Sequence, residues 1–138
     1  MRVVLDTNIL IGALITRGTP PDTLYRAWLR GRIKLITSTA QIDELDRVLV
    51  RPRLRKYLDV EEAAIIRENI DTRAHVVSDL PRIALSPDPA DNLILATAIA
   101  GEADMIVSGD KRDMLALGEA EGIPILTALA ALTRLTGQ

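Results

Sequence analysis

The chain has 138 residues, 48% of them apolar and 26% charged, with a formal net charge of −2. That length and balance describe one globular domain, residues 1–138, with room for a full core. The absence of Cys excludes disulfides, thiolate metal ligands and a cysteine nucleophile, and the single histidine, His75, is too little imidazole for an ordinary zinc centre.

Arg2–Leu5 predicts a buried strand, closed by Asp6 and followed by Thr7-Asn8 and the apolar Ile9-Leu10-Ile11, which suit a helix. Pro20-Pro21-Asp22 opens the next helix, in which Leu24, Ala27 and Trp28 share a face, and Gly31 ends it. Ile33–Thr37 reads as a second strand. Ser38 or Thr39 can cap a helix whose Ile42, Leu45, Val48 and Leu49 form a stripe, broken at Pro52. Val60–Ile70 is a further amphipathic helix and Ala74–Val77 a short strand. Leu80–Pro89, with three prolines, reads as a loop. Asp88 then caps a helix with Pro89 at its first position, which runs to about Ala100 and stops at Gly101. Asp104–Ser108 is a strand, Asp110–Leu117 a short helix, Ile123–Leu126 a last strand and Leu129–Leu135 a last helix.

Such β/α alternation implies a mostly parallel sheet covered on both faces. With 2% aromatics and no Phe, the core has to be built from Leu, Ile, Val and Ala. Asp6 interrupts the first apolar run, so no signal-peptide pattern is present. The apolar stretch around Leu93–Ala100 falls far short of the roughly 20 residues of a membrane span. A cytoplasmic protein with no membrane association is expected.

Four acids fall at comparable junctions of this map. Asp6 ends the first strand, Glu44 lies in the helix after the second, Asp91 lies in the first turn after the proline loop, and Asp110 follows Gly109. In open α/β sheets ligands bind at the carboxyl ends of the strands. Converging carboxylates repel one another unless a cation lies among them, which points to Mg²⁺ or Mn²⁺. Such an ion lowers the pKa of water and stabilises the attacking and leaving oxygens of a phosphoryl displacement, with no His, Cys or Ser nucleophile required. Each acid also has a plainer reading, as a cap or a first-turn charge facing the helix dipole. That reading is preferred for the two rivals nearby, Asp88 and Asp113, the latter beside Lys111 and Arg112, which are expected to face solvent. Asp6 is the strongest of the set, because a charge ending an apolar strand needs a partner. No GxxxxGK[ST], GxGxxG or GxSxG motif is present. His75 is read as structural or exposed, and Trp28 as core.

Val3-Val4-Leu5-Asp6-Thr7-Asn8, Glu44-Leu45, Asp88-Pro89-Ala90-Asp91-Asn92 and Ile106-Val107-Ser108-Gly109-Asp110-Lys111 together resemble the PIN-domain ribonucleases. The likeness is to the VapC-like branch of toxin–antitoxin pairs. The four segments stand in the family's order and span most of the chain. The resemblance implies a three-layer α/β/α sandwich and a metal-dependent endoribonuclease. In it Asp6, Glu44, Asp91 and Asp110 are catalytic and hold Mg²⁺ or Mn²⁺. Thr7 and Asn8 would support them, Asn8 by hydrogen bonds. The resemblance also implies a homodimer and a protein antitoxin as partner.

An RNA substrate needs local positive charge, since the net charge is slightly negative. Arg47, Arg51, Arg53, Arg55 and Lys56 follow Glu44 with no acid among them and are expected to guide the RNA backbone; a second basic stretch is Arg26, Arg30, Arg32 and Lys34. The plain alternative for the first cluster is a solvated helix end complementing the dipole. The scarcity of aromatics argues against base stacking. Competing functions are a non-catalytic PIN-like interaction module and an RNA-processing nuclease outside toxin–antitoxin biology. A haloacid-dehalogenase-type phosphatase ranks low, since Asn8 stands where it needs a second acid.

Overall fold

The computed structural model describes residues 1–110 and 112–137; Lys111, read from sequence as solvent-facing, lies outside the described residues. In chain order the elements are β1 (Arg2–Leu5), α1 (Thr7–Ile15), α2 (Pro20–Leu29), β2 (Lys34–Ser38), α3 (Thr39–Leu49), a 3₁₀ helix (Pro52–Lys56), α4 (Val60–Arg73), β3 (His75–Val77), α5 (Pro89–Ala100), β4 (Met105–Val107), α6 (Met114–Leu117), β5 (Glu119–Ala120), β6 (Ile123–Leu126) and α7 (Ala128–Leu135). The strands form one sheet in the order β3-β2-β1-β4-β6-β5, parallel except where β5 meets β6.

Alternating side chains along the central strands divide the core in two. Val3 and Leu5, Leu35, Met105 and Val107 face one layer, where they meet Leu10, Leu24, Trp28, Leu45, Ile66, Ile70 and Ala131. Val4, Ile36 and Ile106 face the other, against Ile94, Leu95, Ala98 and Met114. A strand buried on both faces has to be apolar throughout, which is why β1 and β4 read as continuous rather than alternating runs. Each of the Val, Leu, Ile and Met side chains buried there contributes on the order of 1.5–3 kcal/mol. The architecture is the expected α/β/α sandwich.

Local chemistry sets the helix ends. Thr19 caps α2 with prolines in its first turn, Ser38 caps α3, Asp59 and Glu62 make a reciprocal capping box on α4, and Asp88 caps α5. Trp28 is buried edge-to-face against Tyr25, and His75 is exposed on β3, both as read from sequence.

Several elements differ from the sequence reading, most by one to three residues at an end. β2 begins at Lys34, whose N–H reaches Met1 O, so Ile33 packs in the core ahead of the strand. Beyond Pro52 the chain makes a turn of 3₁₀ helix instead of losing helical structure, because proline at a helix start needs no N–H acceptor. α6 starts at Met114, not at Asp110: the Asp110 carboxylate accepts from the Arg112 and Asp113 N–H groups and holds a turn there. β5 is absent from the sequence reading; Glu121 and Gly122, both at positive φ, fold it back onto β6.

Candidate active site

Asp6 occupies the N-cap position of α1 but makes no capping bond with its side chain. Its carboxylate instead faces a cleft of about 510 Å³ at the carboxyl edge of the sheet. Asp6 Oδ2 accepts from Ser108 Oγ at 3.1 Å. Ser108, fully buried just past β4, accepts in turn from the Asp110 N–H at 3.1 Å. One hydroxyl therefore joins the ends of β1 and β4, and fixes two of the acids relative to each other.

Glu44 reaches the same cleft from α3. Gln41, 1% exposed, donates from Nε2 to the Leu5 carbonyl at 2.7 Å and accepts from Thr37 Oγ1 at 2.8 Å. It ties the first turn of α3 to the last residue of β1. Glu44 lies three residues further, on the same side of the helix, and is carried up beside Asp6. The Ser38 hydroxyl meets Thr97 of α5 at 2.8 Å, so both flanking layers are joined to the same strand end.

Asp91 enters from the first turn of α5. It is buried, and its Oδ2 accepts from Ser86 Oγ at 3.0 Å. Asn92 binds the Ser86 backbone in both directions, Ser86 N–H to Oδ1 at 2.9 Å and Nδ2 to the carbonyl at 2.8 Å, which pins the proline-rich loop to the helix. Asp88 caps α5 through the Ala90 N–H at 3.0 Å, as read from sequence, and also borders the cleft.

Asp113 departs from its expected role. It stands at the N-cap of α6 but makes no side-chain cap. One carboxylate oxygen from each of Asp91, Asp110 and Asp113 lies within 4.8 Å of the others. Asp6, Glu44, Asp91 and Asp110 thus line one cleft, and Asp113 joins them through Asp91 and Asp110.

Two of the acids are raised in titration, by burial first and by their neighbours' charge after it. Burial raises the Asp6 carboxyl above its ordinary value, against the Ser108 hydroxyl and Thr7 N–H, while Glu44 and Asp110 raise it further. Burial likewise raises Asp91; the Ser86 bond opposes this, and Asp88, Asp110 and Asp6 add to the rise. An oxygen-only donor set in which anions raise one another's affinity for protons suits a hard divalent cation.

The two residues expected to support the acids behave differently. Thr7 is buried, its N–H is directed to the Asp6 carboxylate, and its hydroxyl has no hydrogen-bond partner among the described residues. Asn8 is exposed at the rim, and among the described residues its side chain makes no hydrogen bond within the protein. Further positioning bonds come from Ser108, Ser86 and Gln41. Gln41 did leave a trace in the sequence, a polar residue next to Ile42 at the core-facing start of α3. Ser86 and Ser108 left none, since a buried serine looks like any other loop serine.

The basic cluster divides. Arg51, Arg53 and Lys56 line a groove of about 420 Å³ that meets the carboxylate cleft at Asn8. Arg55 points to the other side of the 3₁₀ helix, among Asp46, Asp59 and Arg67, and Arg47 is exposed away from the groove. Three residues per turn send neighbouring side chains of a 3₁₀ helix in different directions, which a linear run of charge conceals.

A family profile described as PIN domain matches residues 2–112. An uncharacterized protein of Methanocaldococcus jannaschii is 28% identical over 118 residues, covering 85% of this chain and 75% of that one. Among solved structures, VapBC2 from Rickettsia felis bound to a DNA fragment from their promoter superposes with a TM-score of 0.59 at 15% identity, covering 91% of this chain and 97% of that one. FitAcB from Neisseria gonorrhoeae gives 0.53 at 15% identity, with 92% and 98% covered. PAE2754 from Pyrobaculum aerophilum gives 0.58 at 17% identity, with 99% and 90% covered. At these identities the likeness to the solved structures is one of fold.

Proposed function

The chain belongs to the PIN domain family, whose members are typically nucleases, and from that premise we propose that it is an endoribonuclease dependent on Mg²⁺ or Mn²⁺. The observation that carries the reading is the single cleft lined by Asp6, Glu44, Asp91 and Asp110. Those four acids, with Asp113 beside Asp91 and Asp110, would hold the cation. When bound, the cation supplies water of lowered pKa and neutralises charge on the phosphoryl oxygens. The chain's own part is to fix the carboxylates: Ser108 holds Asp6, Ser86 holds Asp91, and Gln41 sets the helix that bears Glu44. Arg51, Arg53 and Lys56 attract the RNA backbone towards that cleft.

The reading extends to a toxin of a toxin–antitoxin pair, acting in the cytoplasm as a homodimer and restrained by a protein antitoxin. Two structures of the same fold, VapBC2 and FitAcB, support it. No helix among the described residues is long and apolar enough to cross a membrane.

The test is cleavage of a defined single-stranded RNA in Mn²⁺ by wild type, by wild type with EDTA, and by Asp91→Asn. Cutting that requires metal and is lost in the variant is the expected result. Equal cutting by Asp91→Asn would overturn the assigned site, and no cutting of any of several RNAs by wild type would favour a binding module. Growth arrest on expression, relieved by the adjacent gene, tests the toxin assignment separately.

A further inference from the structure

Beside the carboxylate cleft runs the groove between α1 and the 3₁₀ helix. Its floor is apolar and small: Ile11 and Ile15 from one stripe of α1, Val48 from the end of α3, and Leu54. Its rim is cationic, with Arg51, Arg53 and Lys56, and no acid among the described residues lines it. Asn8, on the same stripe of α1 as Ile11 and Ile15, borders both the groove and the carboxylate cleft, so the two form one continuous surface.

Tyr57 closes the groove at its far side with 64% of its surface exposed. The chain has only three aromatic residues, and the other two, Tyr25 and Trp28, pack on each other in the core. The exposure of Tyr57 is built in. Leu54 packs against the core, Leu58 is buried, and the Tyr57 N–H is bonded to the Leu54 carbonyl at 3.0 Å. The backbone is anchored on both sides, and the ring is left in solvent without a packing reason.

We propose that this groove seats the nucleotide flanking the cleaved phosphodiester of a single-stranded RNA, with the Tyr57 ring as a stacking platform and Arg51, Arg53 and Lys56 as phosphate contacts. The proposal rests on the nuclease reading above and deepens it by assigning a substrate subsite. Single-stranded nucleic acid is bound by this pairing of a cationic track with an aromatic face, because every base offers a π-surface whatever its identity. The scarcity of aromatics limits such stacking to this one position. A folded protein partner would gain little from so short an apolar floor, whereas a polyanion complements the whole rim.

The experiment measures binding of a short fluorescein-labelled single-stranded RNA to the full chain by anisotropy across a salt series. Ca²⁺ replaces Mn²⁺, since it takes the same oxygen ligands and offsets the repulsion of the acids. Tyr57→Ala is expected to weaken binding on the order of tenfold, and Tyr57→Phe to keep it, because stacking does not need the hydroxyl. Arg51→Ala and Arg53→Ala should each reduce the slope of log K against log salt by about 0.7, the value of one phosphate contact on a single strand. Arg55→Ala, which removes the same charge from the other side of the turn, should leave that slope alone.

Wild-type affinity and slope in Tyr57→Ala and Arg53→Ala would overturn the proposal, as would a loss in Tyr57→Phe equal to that in Tyr57→Ala. So would unchanged RNA binding together with lost capture of the adjacent gene's product, which would make the groove a protein site. A parallel cleavage assay in Mn²⁺ separates the two readings. Cleavage with the same KM in wild type and Tyr57→Ala overturns the subsite alone. Groove-dependent binding without cleavage keeps the groove as a site for single-stranded RNA, but overturns the nuclease reading and with it the seat beside a cleaved bond.

Discussion

Replacing Gln41 with leucine keeps the position filled and removes its two side-chain hydrogen bonds. The bonds lost are those to Leu5 O at 2.7 Å and from Thr37 Oγ1 at 2.8 Å, in a position only 1% exposed. A buried polar group left unpaired costs about 1–3 kcal/mol, so two such groups place the loss at roughly 2–4 kcal/mol once local relaxation is allowed. For a domain of this size that corresponds to a fall in melting temperature of about 8–15 °C. The Gln41 N–H bond to Ser38 Oγ is a backbone bond and survives, so α3 still starts at the same place. What changes is the tie between α3 and β1, and with it the position of Glu44 beside Asp6. Urea denaturation of metal-free protein measures the first effect, and Mn²⁺ titration at a temperature where both proteins are folded measures the second. Thr37→Val in the Gln41→Leu background supplies an internal check. It removes the orphaned hydroxyl and should recover about 1 kcal/mol, because deleting both partners of a buried bond costs less than deleting one. A loss below about 1 kcal/mol for Gln41→Leu, or no recovery in the double variant, would refute the assignment of this bond as a structural tie.

Three further outcomes follow from the same geometry. Mn²⁺ or Mg²⁺ at 100 times its dissociation constant should stabilise the wild type by about 2.7 kcal/mol, read as a rise in melting temperature, with a much smaller rise for Asp6→Ala; equal rises would count against the site. Asp6 and Asp91 titrate above their ordinary value in the metal-free fold, so the stability they contribute is full below about pH 3.9, the unfolded carboxyl value, and is lost as pH rises through their higher folded values. In EDTA, Asp91→Asn should therefore melt above wild type at neutral pH, and the gap should close as pH falls; a gap independent of pH would contradict the raised titration. Ser108→Ala removes the hydroxyl between Asp6 and the Asp110 N–H, and should weaken Mn²⁺ binding about 10- to 100-fold by calorimetry, as loss of a ligand's supporting bond does; unchanged affinity would show that Ser108 acts only on folding.

Much of this protein is legible in its amino-acid sequence, because the governing effects are local. Proline at helix starts, serine and aspartate caps, and apolar runs long enough for a doubly covered strand are settled by neighbours along the chain. They dictate the β/α alternation and the three layers. Position likewise marks Asp6, which ends an apolar strand where a charge needs a partner, and draws notice to Glu44, Asp91 and Asp110, each near a strand end or in the helix that follows. Three things are decided only by the tertiary structure. The first is the role of Asp113, a cap by sequence, whose carboxylate turns towards Asp91 and Asp110 because Asp110 already holds the turn. The second is the sorting of the basic run into Arg51, Arg53 and Lys56 on one side and Arg55 on the other, which depends on the pitch of a 3₁₀ turn. The third is the set of buried ties through Gln41, Ser86 and Ser108. A single buried hydroxyl or amide carries no periodicity, and its value depends on which distant backbone or carboxylate it meets. That is fixed only when β1, β4 and α3 come together.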